Sequence, residues 1–134
     1  MIGVLVVTHG SIGEALLTSA AQILGIEPKQ VATLSVWRQD DPDDLVLRAR
    51  ELLDGLDAGD GVLVLTDIFG ATPGNVVSKL LQDGRVEGVS GVSLPMLLRV
   101  LTGRNGSIAA SVQRAMSGGS EGLVHMNTDR CCDA

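Results

Sequence analysis

Tyrosine is missing altogether from the 134-residue chain, and phenylalanine and tryptophan occur once each. A core must therefore be assembled from Val, Leu, Ile and Ala. Cations are scarce as well: 10 Lys and Arg stand against 16 Asp and Glu, giving a formal net charge of −6 and a pI near 4.7. That balance supplies no cationic face to neutralise phosphates, so nucleic acid and anionic membrane surfaces are excluded as expected partners. No apolar run approaches the roughly 18 residues that span a bilayer, and no membrane insertion is expected. The apolar start from Met1 to Val7 has no basic region before it and no small-residue cleavage site behind it, so it reads as structure and not as a targeting segment. Cysteine is limited to the adjacent pair Cys131 and Cys132 near the C-terminus. Neighbouring cysteines do not easily reach disulfide geometry, and two in a polar tail give no disulfide framework. A zinc site wants about four ligands. A reducing, cytoplasmic setting is expected, with no metal and no cofactor.

What is present is enough for one domain. Apolar residues make up 45% of the chain, and its length fits a single core. Residues 1–126 are expected to form that domain and 127–134 a polar tail. Ile2–Val7 is a continuous apolar run rich in β-branched residues, as in a strand buried on both faces. Ser11 and Glu14 form a Ser-x-x-Glu capping pattern, which predicts a helix from Ser11 to about Gly25, with Ala15, Leu16, Ser19 and Ile23 at helical spacing. Val31–Trp37 reads as a second strand. The acidic turn Asp40–Asp44 with Pro42 opens a helix through Leu45–Leu56. Gly61–Thr66 is the clearest strand, and Val76–Leu81 reads as the helix behind it. Val86–Ser93 is a fourth strand, Met96–Leu101 a helix opened by Pro95, and Gly106–Met116 a last helix stopped by Gly118 and Gly119. Gly122–Met126 reads as a short final strand. The alternation predicts an α/β fold: a doubly wound, mainly parallel sheet with helices on both faces.

Open sheets of this kind bind ligands beyond the carboxyl ends of their strands, near the switch in strand order. The residues just past the strands therefore matter most. His9 ends the first strand and Asp67 ends the third. A carboxylate beside an imidazole accepts the Nδ1 proton and leaves the Nε2 lone pair free to attack. Behind Asp67, Gly70, Ala71 and Thr72 precede Pro73 at a helix start, where free backbone N–H groups face outward and favour a phosphoryl group. Thr72 can cap that helix or donate to the same anion. Gly10 and Ser11 offer a second helix start beside His9. Taken singly, each has a plainer reading: His9 as a hydrogen-bonded loop histidine, Asp67 as an N-cap, Gly70 as a tight turn. The conjunction points to a phosphohistidine site. Arg38 ends the second strand, and either reaches the crevice or is a solvated loop arginine. The run Asp40–Asp44 is either a solvated helix start or a patch that attracts a basic carrier protein. His125 reads as a surface or interface histidine, and Met96, Met116 and Met126 as apolar fillers.

The stretches Val6–Gly10, Ala15–Leu17, Leu65–Asn75 and Gly91–Leu97 resemble the mannose-class IIA domain of the bacterial sugar phosphotransferase system. They occur in the family's order across most of residues 1–125, and the Asp-x-Phe-Gly-x-Thr-Pro-x-Asn element at Asp67–Asn75 is the most specific. The resemblance implies that His9 accepts a phosphoryl group on Nε2 from the phosphocarrier HPr and passes it to a IIB partner. It implies that Asp67 orients His9 and that Thr72 with backbone amides holds the phosphoryl group. It also implies a homodimer in which a C-terminal strand, here Gly122–Met126, is exchanged. Ala71 departs from the glycine common at that position. The best-known members continue into a fused IIB domain, whereas this chain stops at Ala134, so separate partners or a regulatory phosphorelay are expected. Three other readings compete. A receiver domain phosphorylated on Asp67 lacks its acidic pair, since Thr8 and His9 stand there. A non-catalytic module would offer the crevice to an anion or a regulatory partner. The phosphoryl-donor subunit of dihydroxyacetone kinase is related, but the Phe69–Pro73 turn fits the mannose class better.

Overall fold

The computed structural model describes residues 1–128. Strands β1 (Gly3–His9), β2 (Val31–Val36), β3 (Val62–Thr66) and β4 (Val86–Ser90) form one sheet in the order β2-β1-β3-β4, every neighbouring pair parallel. Helices α1 (Ile12–Leu24), α2 (Pro42–Leu56), α3 (Thr72–Ser78), α4 (Leu94–Leu101) and α5 (Ile108–Glu121) complete the chain. The strand residues alternate between two cores, as the period-2 geometry of a strand requires. Leu5, Val7, Val62 and Val64 face Leu45, Ala49 and Leu53 of α2 and Val76 and Val77 of α3. Val4, Val6, Leu63 and Leu65 face Ala20 of α1, Met96, Leu97 and Val100 of α4 and Ala115 of α5. Each fully buried Leu or Val contributes about 1.5–3 kcal/mol, which makes these central strands the main source of stability. The doubly wound α/β arrangement is thus the one the alternation of elements predicts.

The chain runs from β1 out to β2, then crosses back to β3 on the other side of β1. The connections leaving β1 and β3 therefore diverge to opposite faces of the sheet, the place where open sheets of this kind bind ligands. At the opposite end, the buried Arg104 lies just past α4. Its Nη1 donates to the carbonyls of Lys29 at 2.6 Å and of Ile2 and Gln30 at 3.4 Å. Its own carbonyl accepts from the Ile2 N–H at 2.9 Å. One side chain thereby ties the loop after α4 to the starts of β1 and β2.

Several local expectations need correction. Ser11 occupies the N-cap of α1 but makes no capping bond. Thr8 Oγ1 accepts from the Gly13 N–H at 2.8 Å instead, while Glu14 accepts from Ser35 Oγ at 3.2 Å. The buried face of α1 is Gly13, Leu16 and Ala20, so Ala15 and Ile23 point to solvent. Helix α3 begins at Thr72 and ends at Ser78, earlier than Val76–Leu81 at both ends. Strand β4 stops at Ser90 because Ser93 caps α4, its Oγ accepting from the Met96 N–H at 3.3 Å. Helix α5 continues through Gly118 and Gly119 to Glu121. Gly118 serves close packing: a Cβ there would lie 2.7 Å from Cβ of Arg99 on α4. Gly122–Met126 forms no strand, and Leu123 and Met126 are exposed. Met96 is buried as expected, but Met116 and Met126 are exposed and fill no core. Cys131 and Cys132 lie outside the described residues.

Candidate functional site

Adjacent parallel strands with Val7 opposite Thr66 deliver the residues beyond them to the same place. His9 closes β1 and Asp67 follows β3, so residues far apart in the chain meet at the rim. Asp67 Oδ2 lies 2.8 Å from His9 Nδ1 and accepts from the His9 backbone N–H at 3.1 Å. Its other oxygen, Oδ1, accepts from the Ile68 N–H at 3.1 Å. Asp67 is thus committed to His9 and its own turn, and it does not cap α3, whose N-cap is Ala71. Burial pushes the Asp67 carboxyl up, but the hydrogen bonds from the His9 ring and backbone and the ring's charge outweigh it, holding the group below its usual 3.8. The carboxylate is therefore ionised at neutral pH. Such a carboxylate favours the tautomer with the proton on Nδ1 and the lone pair on Nε2. The imidazole is 49% exposed while Asp67 is only 13% exposed, so the carboxylate is shielded and the ring faces outward.

The turn after His9 is pinned from the other side. Gly10 is left-handed, with φ +49°, and its N–H donates to the Val36 carbonyl at the end of β2, at 2.9 Å. A left-handed residue beside a strand end favours glycine. The turn after Asp67 carries Gly70, also left-handed at φ +87°, then Ala71 in extended conformation, then Thr72 as the first residue of α3. Thr72 does not cap the helix. The N–H groups of Gly70 and Thr72 make no hydrogen bond among the described residues, and both residues are exposed. They remain available to an anion, the property for which helix starts bind phosphate.

Two further residues shape the site, and the motif reading did not assign them. Thr8 sits under the β1–α1 turn as the true cap of α1. Its only sequence signal is a hydroxyl residue just before a helix. Trp37, immediately after β2, lays its six-membered ring against Gly10: a Cβ on Gly10 would lie 3.3 Å from Cζ3 and 3.4 Å from Cη2. Read from the sequence as the last residue of the second strand, it carried no signal of this contact, because β2 ends one residue earlier, at Val36. Arg38 is exposed and makes no hydrogen bond or ion pair among the described residues. Asp41 caps α2, its carboxylate accepting from the Asp43 N–H at 3.0 Å, as a helix-start acid does. His125 is exposed. Among the described residues, no group of three or more His, Cys, Asp or Glu could hold a metal ion. No helix among them is long and apolar enough to cross a membrane.

Known proteins match this arrangement in sequence and in shape. A family model described as the PTS system fructose IIA component matches residues 3–116. The mannose-specific EIIAB component of Escherichia coli K12 is 32% identical over 125 residues, covering 91% of this chain and 38% of that protein. This chain therefore spans well under half of that relative. The fructose-specific EIIA component of Bacillus subtilis 168 is 33% identical over 103 residues, covering 76% of this chain and 70% of that protein. The crystal structure of a phosphotransferase system component EIIA from Streptococcus agalactiae superposes with a TM-score of 0.85 at 26% identity, covering 96% of this chain and all of that one. The family model covers most of the chain, and the chain belongs to the PTS system fructose IIA component family, the IIA components of the mannose and fructose class.

Proposed function

We propose that the chain is a phosphohistidine carrier in which His9 accepts a phosphoryl group on Nε2 from HPr and hands it to a IIB partner. The observation that carries the reading is the 2.8 Å contact between His9 Nδ1 and the ionised Asp67. In the transfer, the Nε2 lone pair forms a bond to phosphorus as the bond from phosphorus to the donor's ring nitrogen breaks, and that nitrogen leaves with the electron pair. Asp67 keeps the Nδ1 proton in place and offsets the charge that develops on the His9 ring. Gly70, Ala71 and Thr72 are assigned to the phosphoryl oxygens through backbone N–H groups and the Thr72 hydroxyl, whereas the Gly10 N–H, expected to join them, is taken by the Val36 carbonyl at 2.9 Å. Positioning and charge stabilisation supply most of the acceleration in such a reaction.

The reading places the protein in the cytoplasm, with residues 1–126 as the transfer domain. It also includes a homodimer. Among the described residues no strand lies beside the outer edge of β4, and a groove of about 360 Å³ lined by Phe69, Leu81, Val89, Val112 and Met116 runs next to it. Leu123, Val124 and Met126 are exposed apolar residues that a partner's edge would cover. Sedimentation equilibrium tests that arm, with a monomer at all concentrations as the opposing result.

The central test mixes the chain with labelled phosphoenolpyruvate, enzyme I and HPr. Label is expected on His9, labile in acid and stable in base. Persistence of label in His9→Gln, or the base lability of an acyl phosphate, sinks the assignment. Both Asp67 oxygens are already engaged, which supports histidine over aspartate as the acceptor.

A further inference from the structure

Trp37 has no role in either hydrophobic core, and half of its surface is open to solvent. Its backbone is nonetheless held in a closed turn. The Trp37 N–H donates to Asp40 Oδ2 at 2.9 Å, and the Trp37 carbonyl accepts from the Asp40 N–H at 3.0 Å. The indole is thereby delivered onto Gly10, with Cζ3, Cη2 and Cε3 all within 3.3–3.9 Å of the place a Cβ would take. Gly10 is the residue bonded to His9, and glycine is the residue type with the greatest backbone freedom. A free glycine next to the nucleophile would let the imidazole swing. Here the His9–Gly10 segment is fixed at three points: the His9 N–H on Asp67, the Gly10 N–H on Val36, and the ring of Trp37 against the glycine.

We propose that Trp37 is a positioning residue for phosphoryl transfer, acting through Gly10 to hold the His9 ring on Asp67. This rests on the carrier reading above, and it adds a residue that acts through Gly10. The aromatic plate restricts a hinge that the left-handed turn requires to be glycine. Its removal leaves the His9–Asp67 pair chemically intact but less often aligned.

The test is saturation kinetics of transfer from phospho-HPr to the full chain and to its Trp37→Ala and Trp37→Phe variants. Loss of alignment costs the transfer step and not the encounter, so kcat in Trp37→Ala falls about tenfold, with KM for phospho-HPr within twofold of wild type. Trp37→Phe retains a ring on Gly10 and restores most of kcat. In parallel, amide hydrogen exchange at His9 and Gly10 speeds up in Trp37→Ala, while exchange at Val64 in the buried centre of β3 is unchanged, which also verifies the fold. An unchanged kcat overturns the proposal, and so does a rise in KM alone, which assigns Trp37 to partner docking. If Trp37→Ala unfolds, Trp37→Leu takes its place, with the same kcat loss required and the same results overturning the proposal. Absence of label on wild-type His9 refutes the carrier reading itself, a result distinct from equal labelling kinetics in wild type and variant.

Discussion

Replacing Asp67 by Asn isolates the charge of the orienting group from its shape. In the native site one oxygen, Oδ2, receives both the His9 Nδ1 proton at 2.8 Å and the His9 backbone N–H at 3.1 Å. An Asn amide can present its single carbonyl oxygen to that position, but it carries no charge to balance the ring as the phosphoryl group moves. A hydrogen bond to a charged group contributes about 1.5–3 kcal/mol, and the low exposure of Asp67, 13%, limits screening by solvent. At about 1.4 kcal/mol per factor of ten, Asp67→Asn should slow transfer roughly ten- to a hundredfold. The assay is a rapid-quench single turnover with excess phospho-HPr, following label on His9. Binding of HPr should change little, because Asp67 sits behind the imidazole. A rate within twofold of wild type, with His9 still the labelled residue, refutes the argument that the carboxylate stabilises the ring during transfer.

Other outcomes follow from the same geometry. Thr8→Val removes the acceptor of the Gly13 N–H and should cost about 1 kcal/mol in urea denaturation, whereas Ser11→Ala should be near neutral because Ser11 makes no capping bond. Arg104→Ala leaves the carbonyls of Ile2, Lys29 and Gln30 without their donor and should cost about 3 kcal/mol, read in the same assay, with transfer kinetics of the folded fraction unchanged. The Asp67 carboxyl is depressed below 3.8 in the folded state, so its contribution to stability is present above that pH and is lost as pH falls through the folded value. Asp67→Asn should therefore flatten the acid limb of a plot of unfolding free energy against pH, and an unchanged acid limb would show that the pair contributes nothing.

The strands were legible because central parallel strands are buried on both faces and so appear as unbroken apolar runs, as at Val4–Val7 and Val62–Leu65. Once parallel order is granted, the meeting of His9 and Asp67 follows from their places at two strand ends. What failed was the assignment of single residues with more than one use. Glycine near the end of a helical pattern signals a stop, yet Gly118 is inside α5 because Arg99 of α4 occupies the space a side chain would need. Ser11 and Glu14 have the spacing of a capping box, but Thr8 reaches the Gly13 amide first. The outward turn of Ile23 on α1 depends on which side the sheet lies, a fact that helical spacing alone does not contain. Contact between Trp37 and Gly10 requires β1 and β2 to be neighbours in register, His9 beside Val36, and is a property of the assembled sheet.

Uniform strand direction gives this molecule two poles with separate duties. His9 and Asp67 meet where the strands finish, while the Arg104 clasp closes the end where they begin. Apart from the cap residue Thr8, substitutions near the finishing end should change turnover with little effect on cellular abundance, and those near the beginning should do the reverse. A variant library scored once for growth and once for protein level would then sort into two spatial halves, and the fold offers an engineer a way to adjust lifetime and activity independently.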